Sequence, residues 1–123
     1  MQKTQFIHLP SLEKLSLAMS AERFDRFKQV ALSSLNDLAD ELNQALANQD
    51  IEQLHRSAHS IKSSAHYMGG LSISEQARLL EQQFKNQDMV DAEQAVATLQ
   101  ADLKDFMIEL EHYSPEHSPD KAS

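Results

Sequence analysis

The sequence predicts an all-α fold, an antiparallel up-down-up-down four-helix bundle with a short extra helix at its N-terminus. The 123 residues include only 2 Gly and 3 Pro, and all three prolines, Pro10, Pro115 and Pro119, lie near the ends. The remainder is rich in Ala, Leu, Gln, Glu and Lys, which are strong helix formers. Four long stretches repeat apolar residues at three- and four-residue steps, the mark of amphipathic helices. The stretches are separated by only a few turn residues, which forces neighbouring helices antiparallel.

The short first helix is expected after Pro10, capped by Ser11, with Leu12, Leu15 and Met19 on one side. Ser20 is a good N-cap for the second helix. Its stripe of Phe24, Phe27, Ala31, Leu35, Leu38, Leu42 and Ala45 extends over about Ala21 to Ala47. Asn48-Gln49-Asp50 is a turn, and Asp50 with Gln53 reads as a capping pair. The third helix carries Leu54, Ala58, Ile61, Ala65 and Met68 inward and stops at Gly69-Gly70, as a left-handed C-terminal cap requires. Ser72 and Glu75 form an S-x-x-E capping pattern for the fourth helix, with Ile73, Ala77, Leu80 and Phe84 inward. After Asn86-Gln87-Asp88 the fifth helix buries Ala92, Val96, Leu99, Leu103, Phe106 and Leu110 and runs to about Tyr113. Residues 11–113 are thus expected to form one bundle, 1–10 an N-terminal extension and 114–123 a disordered tail.

Composition removes whole classes of chemistry. Cysteine is absent, which excludes disulfides, thiolate catalysis and Cys-type zinc sites. No apolar run approaches the roughly 20 residues that span a bilayer. The first ten residues have no apolar h-region, so neither a signal peptide nor a location outside the cytoplasm is expected. A net charge of −8 argues against binding nucleic acid or an anionic membrane.

The third helix carries the chemistry. At about 100° per residue its five core residues fall within about 40° of one direction, and His59 points about 140° away. Around His59 on the polar side lie Glu52, His55, Arg56, Lys62, Ser63 and His66. His55 and Ser63 are four residues from His59 and Lys62 is three, the spacings at which helical side chains touch. From Gln53 to Tyr67 this acidic chain has no Asp or Glu, so the face is cationic and suits an anionic group or partner. A neutral imidazole can attack phosphorus, a lysine one turn away can offset phosphoryl charge, and a small serine leaves the ring accessible. On geometry alone, a phosphoacceptor and a solvated face that happens to hold three histidines are equally supported.

The string Ala58-His59-Ser60-Ile61-Lys62-Ser63-Ser64-Ala65-His66-Tyr67-Met68-Gly69-Gly70-Leu71, followed by Ala77 and Leu80-Glu81, resembles the signature of histidine phosphotransfer (HPt) domains. That family reads A-H-x-x-K-G, then a small-residue turn, then a helix with A-x-x-L-E. The resemblance covers roughly residues 11–113. It implies that His59 is phosphorylated, that Lys62 partners the phosphoryl group, and that Glu81 stands where some members have a polar residue reaching toward the histidine. Ser63 departs from the usual Gly. The resemblance also implies response-regulator receiver domains and a hybrid sensor kinase as partners, with His55, Arg56 and His66 in the docking face. The chain would be a monomeric phosphocarrier without ATPase or kinase activity. Magnesium would belong to the receiver, so no cofactor or metal is expected here.

Alternatives remain. His55, His59 and His66 could bind zinc, and Glu52/His55 and Glu109/His112 form E-x-x-H strings like those of di-iron bundles. Those ligands must project into the bundle, whereas here they fall on polar faces, and Arg56 and Lys62 would repel a cation. A sensor-kinase dimerisation module also phosphorylates a helical histidine, but no acidic residue follows His59 and no nucleotide loop exists. A helical interaction module without phosphotransfer is the third alternative.

Overall fold

The computed structural model describes residues 5–115. It contains α1 (Leu9–Leu17), α2 (Ala21–Ala47), α3 (Ile51–Tyr67), α4 (Leu71–Lys85) and α5 (Ala92–His112), with no strand among the described residues. The last four helices form an all-α bundle in which α3 packs on α2 and α4, and α5 closes the ring against both. All five residues expected inward on α3, all four on α4 and all six on α5 are buried. Such stripes bury together because removing apolar surface from water stabilises by about 25 cal/mol per Å².

The stripe of α2 is less regular than expected. Phe24, Leu35, Leu42 and Ala45 are buried, and Ala31 and Leu38 are half-buried. Phe27, expected in the core, is 40% exposed and lies against the ring of Tyr67 with centroids 6.1 Å apart. The next position, Lys28, takes the inward place instead. Its Nζ donates to the carbonyls of Glu111 at 3.2 Å and Tyr113 at 3.1 Å. The ammonium thereby caps the end of α5, where unpaired carbonyls favour a cation.

Ser20 and Asp50 cap their helices through side-chain oxygens that accept from the N–H groups of Arg23 and Gln53. Two other expected caps are corrected. Helix α1 starts at Leu9, before Pro10, because a proline without an N–H fits a first helical turn. Its cap is His8, whose Nδ1 accepts from the Ser11 N–H. The boundary expected after residue 10 therefore falls inside α1. Upstream, Ile7 is buried, and the Glu109 carboxylate accepts from the N–H groups of Gln5, Phe6 and Ile7. Residues 1–4, and residues 116–123 of the expected tail, lie outside the described residues.

The second correction concerns α4, which begins at Leu71 with Gly70 as N-cap and no side-chain cap from Ser72. At the end of α3, Gly69 has φ +80°. The Gly70 N–H returns to the Ala65 carbonyl at 2.7 Å and the Gly69 N–H to His66 at 3.1 Å, the paired bonds of a Schellman motif. The Gly70 carbonyl at once accepts from Ser74 at 2.9 Å, so α4 starts without a separate cap. Glu75 bonds Arg78 instead.

A Cβ at Gly70 would stand 2.8 Å from two ring atoms of Phe106 and 3.1 Å from the Ala65 carbonyl. Gly70→Ala is therefore expected to destabilise the bundle by about 1–3 kcal/mol through overpacking. Urea unfolding would measure this, and an unchanged midpoint would show that Phe106 yields freely.

Candidate functional site

Helices α3 and α4 leave the turn as a close antiparallel hairpin. Ser74, buried on α4, donates its hydroxyl to the Lys62 carbonyl at 2.9 Å, and Ala58, Ala65 and Ala77 are buried without bulk. This brings Glu81 on α4 opposite His59 on α3. The His59 side chain is 57% exposed and that of Glu81 only 14%. One Glu81 oxygen, Oε2, accepts a hydrogen bond from His59 Nδ1 and lies 3.9 Å from His55 Nε2. The other, Oε1, accepts from Lys62 Nζ at 2.7 Å. The carboxylate is thus shared between a ring and an ammonium one helical turn apart.

The outward phase expected for α3 holds. His59, Ser63, Arg56 and His66 are exposed, and His55 and Lys62 are half-buried. Arg56 donates to the Gln53 side chain at 2.8 Å. Glu81 reaches His59, as the resemblance implies, and Lys62 is the position that differs most from expectation. Lys62 is bound to a carboxylate rather than free in solvent. Glu81 is at the centre of the cluster, with its charge on the Nδ1 side of the ring, away from Nε2. In a neutral ring, an Nδ1–H that donates to this anion leaves the lone pair on Nε2, the nitrogen that faces away from Glu81.

A groove of about 550 Å³ flanks the ring, lined by His55, Arg56, His59, Arg78, Glu81 and Lys85 among others. Arg78 and Lys85 were not singled out from the sequence. Their signal was there: positions 78, 81, 82 and 85 fall on one face of a helix at three- and four-residue steps. They bring two further cationic side chains from α4 beside the α3 face, Arg78 in an ion pair with Glu75. Tyr67, eight residues from His59 and 56% exposed, extends the same side of α3 toward Phe27.

The Glu109/His112 string has other partners. Glu109 holds the backbone of residues 5–7, and His112 Nδ1 bonds the Ile108 carbonyl at 2.8 Å. Among the described residues no three His, Asp or Glu side chains are grouped as metal ligands.

Burial pushes the Glu81 carboxyl up, but hydrogen bonds from Lys62 and His59, together with their charges, outweigh it and hold its pKa below the usual glutamate value. A carboxyl lowered on folding stabilises the fold above its unfolded-state value, near 4.3. That contribution disappears as pH falls through the lower folded-state value. Glu81→Gln is therefore expected to cost about 0.5–1.5 kcal/mol near neutral pH, with the gap closing in acid. Denaturant unfolding of both proteins from pH 7 to pH 3 would test this, and a gap that widened in acid would contradict it.

No curated protein and no solved structure matches the chain. The family model described as "Hpt domain" matches residues 26–112, from the first turns of α2 to the last residue of α5, and so includes the His59–Lys62–Glu81 cluster. Hpt domains are histidine carriers of phosphorelays that work with response-regulator receivers. With a helical ring closed around one core and the match running through four helices, the chain belongs to the Hpt domain family.

Proposed function

We propose that His59 is the phosphoacceptor, taking a phosphoryl group on Nε2 from a receiver aspartyl phosphate and passing it to an aspartate of another receiver. The supporting observation is the exposed imidazole whose Nδ1 is tied to Glu81, which leaves Nε2 to attack. In the step, the Nε2 lone pair forms the N–P bond as the P–O bond to aspartate breaks, and the aspartate carboxylate leaves with the electron pair. The attacking nitrogen carries no proton, so no base is needed. Lys62 has three donors and gives one to Glu81, so another can meet a phosphoryl oxygen. Ser63 keeps the approach open.

In this reading a hybrid sensor kinase stands upstream and supplies the ATP chemistry, which this carrier lacks. The receivers' acidic phosphorylation sites meet the cationic face of His55, Arg56, His66, Arg78 and Lys85, and the magnesium that assists belongs to them. The carrier is taken as a cytoplasmic monomer that binds neither nucleic acid nor membrane.

Incubation with a phosphorylated receiver should place acid-labile, base-stable label on the parent, on His55→Gln and on His66→Gln, and none on His59→Gln. Label surviving in His59→Gln, on a chain that keeps its helicity, would move the site elsewhere. Ser63→Phe adds a ring one turn from His59 on an exposed position, so stability should change by no more than about 0.5 kcal/mol. Transfer should nevertheless fall by about a hundred-fold, because the reacting atoms must come within about 3–3.5 Å. Normal transfer by Ser63→Phe would mean that the receiver docks on another face.

A further inference from the structure

We propose that residues 5–12 form a strap that governs the α3–α4 hairpin: seated between Glu109 and Gly69 it holds the two helices in the register that brings Glu81 to His59, and released it leaves a folded bundle that transfers slowly. Its effect on transfer rests on the reading of His59 as phosphoacceptor.

The strap, which ends in the first turn of α1, lies ahead of residue 26, where the family match begins. It is attached at two places. At one end the Glu109 carboxylate accepts from three successive N–H groups, those of Gln5 and Phe6 at 3.0 Å and that of Ile7 at 3.2 Å. Successive N–H groups aimed at one point make a seat for an anion, and here the anion is a side chain of α5. At the other end the His8 N–H donates to the Gly69 carbonyl at 2.7 Å. Ile7 and Leu12 are buried, whereas Gln5, His8 and Pro10 are exposed. A segment held by one carboxylate and two apolar anchors opens at lower cost than the core of the bundle.

The turn between α3 and α4 is gripped from two sides. Phe106 of α5 presses on Gly70, while the His8 carbonyl and Leu12 stand 3.2 and 3.3 Å from where a Cβ of Gly69 would lie. Glu109 is about one helical turn beyond Phe106, so one stretch of α5 serves both grips. Release of the Glu109 contact lets His8 leave Gly69 and removes one grip. The bond from Ser74 to the Lys62 carbonyl and the packing of Phe106 keep the hairpin together, so register is lost and not fold. Glu81 lies ten residues into α4, about 15 Å from the turn, so a change of a few degrees there moves its carboxylate by about an ångström. A misplacement of that size, caused far from the chemistry, is costly to group transfer.

The test uses the full chain labelled with ¹⁵N. Glu109→Ala removes the acceptor, and Phe6→Pro removes a donor from the strap while leaving α5 intact. Glu109→Gln keeps an amide oxygen that can still accept. The His8 amide should exchange slowly in the parent and about ten-fold faster or more in Glu109→Ala and Phe6→Pro, with the amides of Leu80 and Leu103 still protected. In both variants the ring ¹⁵N signals of His59 should shift, and the limiting rate of transfer from a phosphorylated receiver should fall by about ten-fold. The receiver concentration giving half that rate should not change, because the exposed side chains of α3 are untouched. Unfolding would instead lower the amount of label. Glu109→Gln should fall between parent and Glu109→Ala, and the double variant should be no slower than either single one, because both act on one contact. Faster His8 exchange with the parent's ring signals and transfer rate makes the strap mere packing and overturns the proposal. An unprotected His8 amide in the parent overturns it too. Should Glu109→Ala unfold, Phe6→Pro decides by the same readouts. If a folded parent takes no label, the phosphoacceptor reading fails, and the His59 ring signals then decide whether the strap reaches the hairpin.

Discussion

The approach of α4 to α3 is the constraint on which the rest of the site depends. A carboxylate on one helix reaches an imidazole and an ammonium on the next only if the two backbones run close and in one register. The Schellman turn sets that register, with Gly69 in the left-handed region and the Gly70 N–H returned to Ala65. Gly70 is also where Phe106 of α5 presses against the turn, close enough that a Cβ would collide with its ring. The bond from Ser74 to the Lys62 carbonyl pins the hairpin again one turn further on. Packing at the turn is thus converted, nearly three helical turns along α4, into the placement of Glu81.

Much of this was legible in the sequence, because an amphipathic helix declares its inner face by a periodicity of 3.6. The stripes of α3, α4 and α5 are buried residue for residue, and the outward phase of His59 and Ser63 follows from the same count. What was not legible depended on partners brought from a distance. Glu81 is 22 residues from His59; the family resemblance sets a residue there reaching toward the ring, but no local pattern says that the same carboxylate will also take Lys62. Lys28 takes the inward place expected of Phe27 for a similar reason. Either could lie at the edge of the stripe, and the deciding factor is the set of carbonyls at the end of α5. The caps at Ser11 and Ser72 looked sound locally, yet Pro10 and the glycine turn let each helix begin earlier.

The charge distribution joins fold and function. A chain of net charge −8 repels most anionic surfaces, yet on one side it gathers Arg56, Arg78 and Lys85 around the imidazole. The one acidic side chain placed deep in this face is Glu81, and its charge is spent on Lys62 and His59. Arg78 is paired with Glu75 at this rim, so Arg56 and Lys85 carry its positive charge, while the ring itself rests on an anion. Charges of opposite sign thus lie within a few ångströms of one imidazole.

The two ends of the described chain are tied to each other as well as to the core. Lys28 holds the carbonyl of Tyr113, 85 residues away, and Glu109 holds the N–H groups of residues 5–7 from more than 100 residues away. Contacts of such separation close large loops, whereas the α3–α4 hairpin closes a small one. A nascent chain can thus assemble the hairpin that carries the histidine while α2 still lacks the carbonyls that satisfy its inward lysine. Only when α5 has been completed is that ammonium paired. The closing step of assembly is therefore bound to the last helix, and a chain cut short before α5 would hold its α3–α4 hairpin while the inward lysine lacks both of its carbonyls.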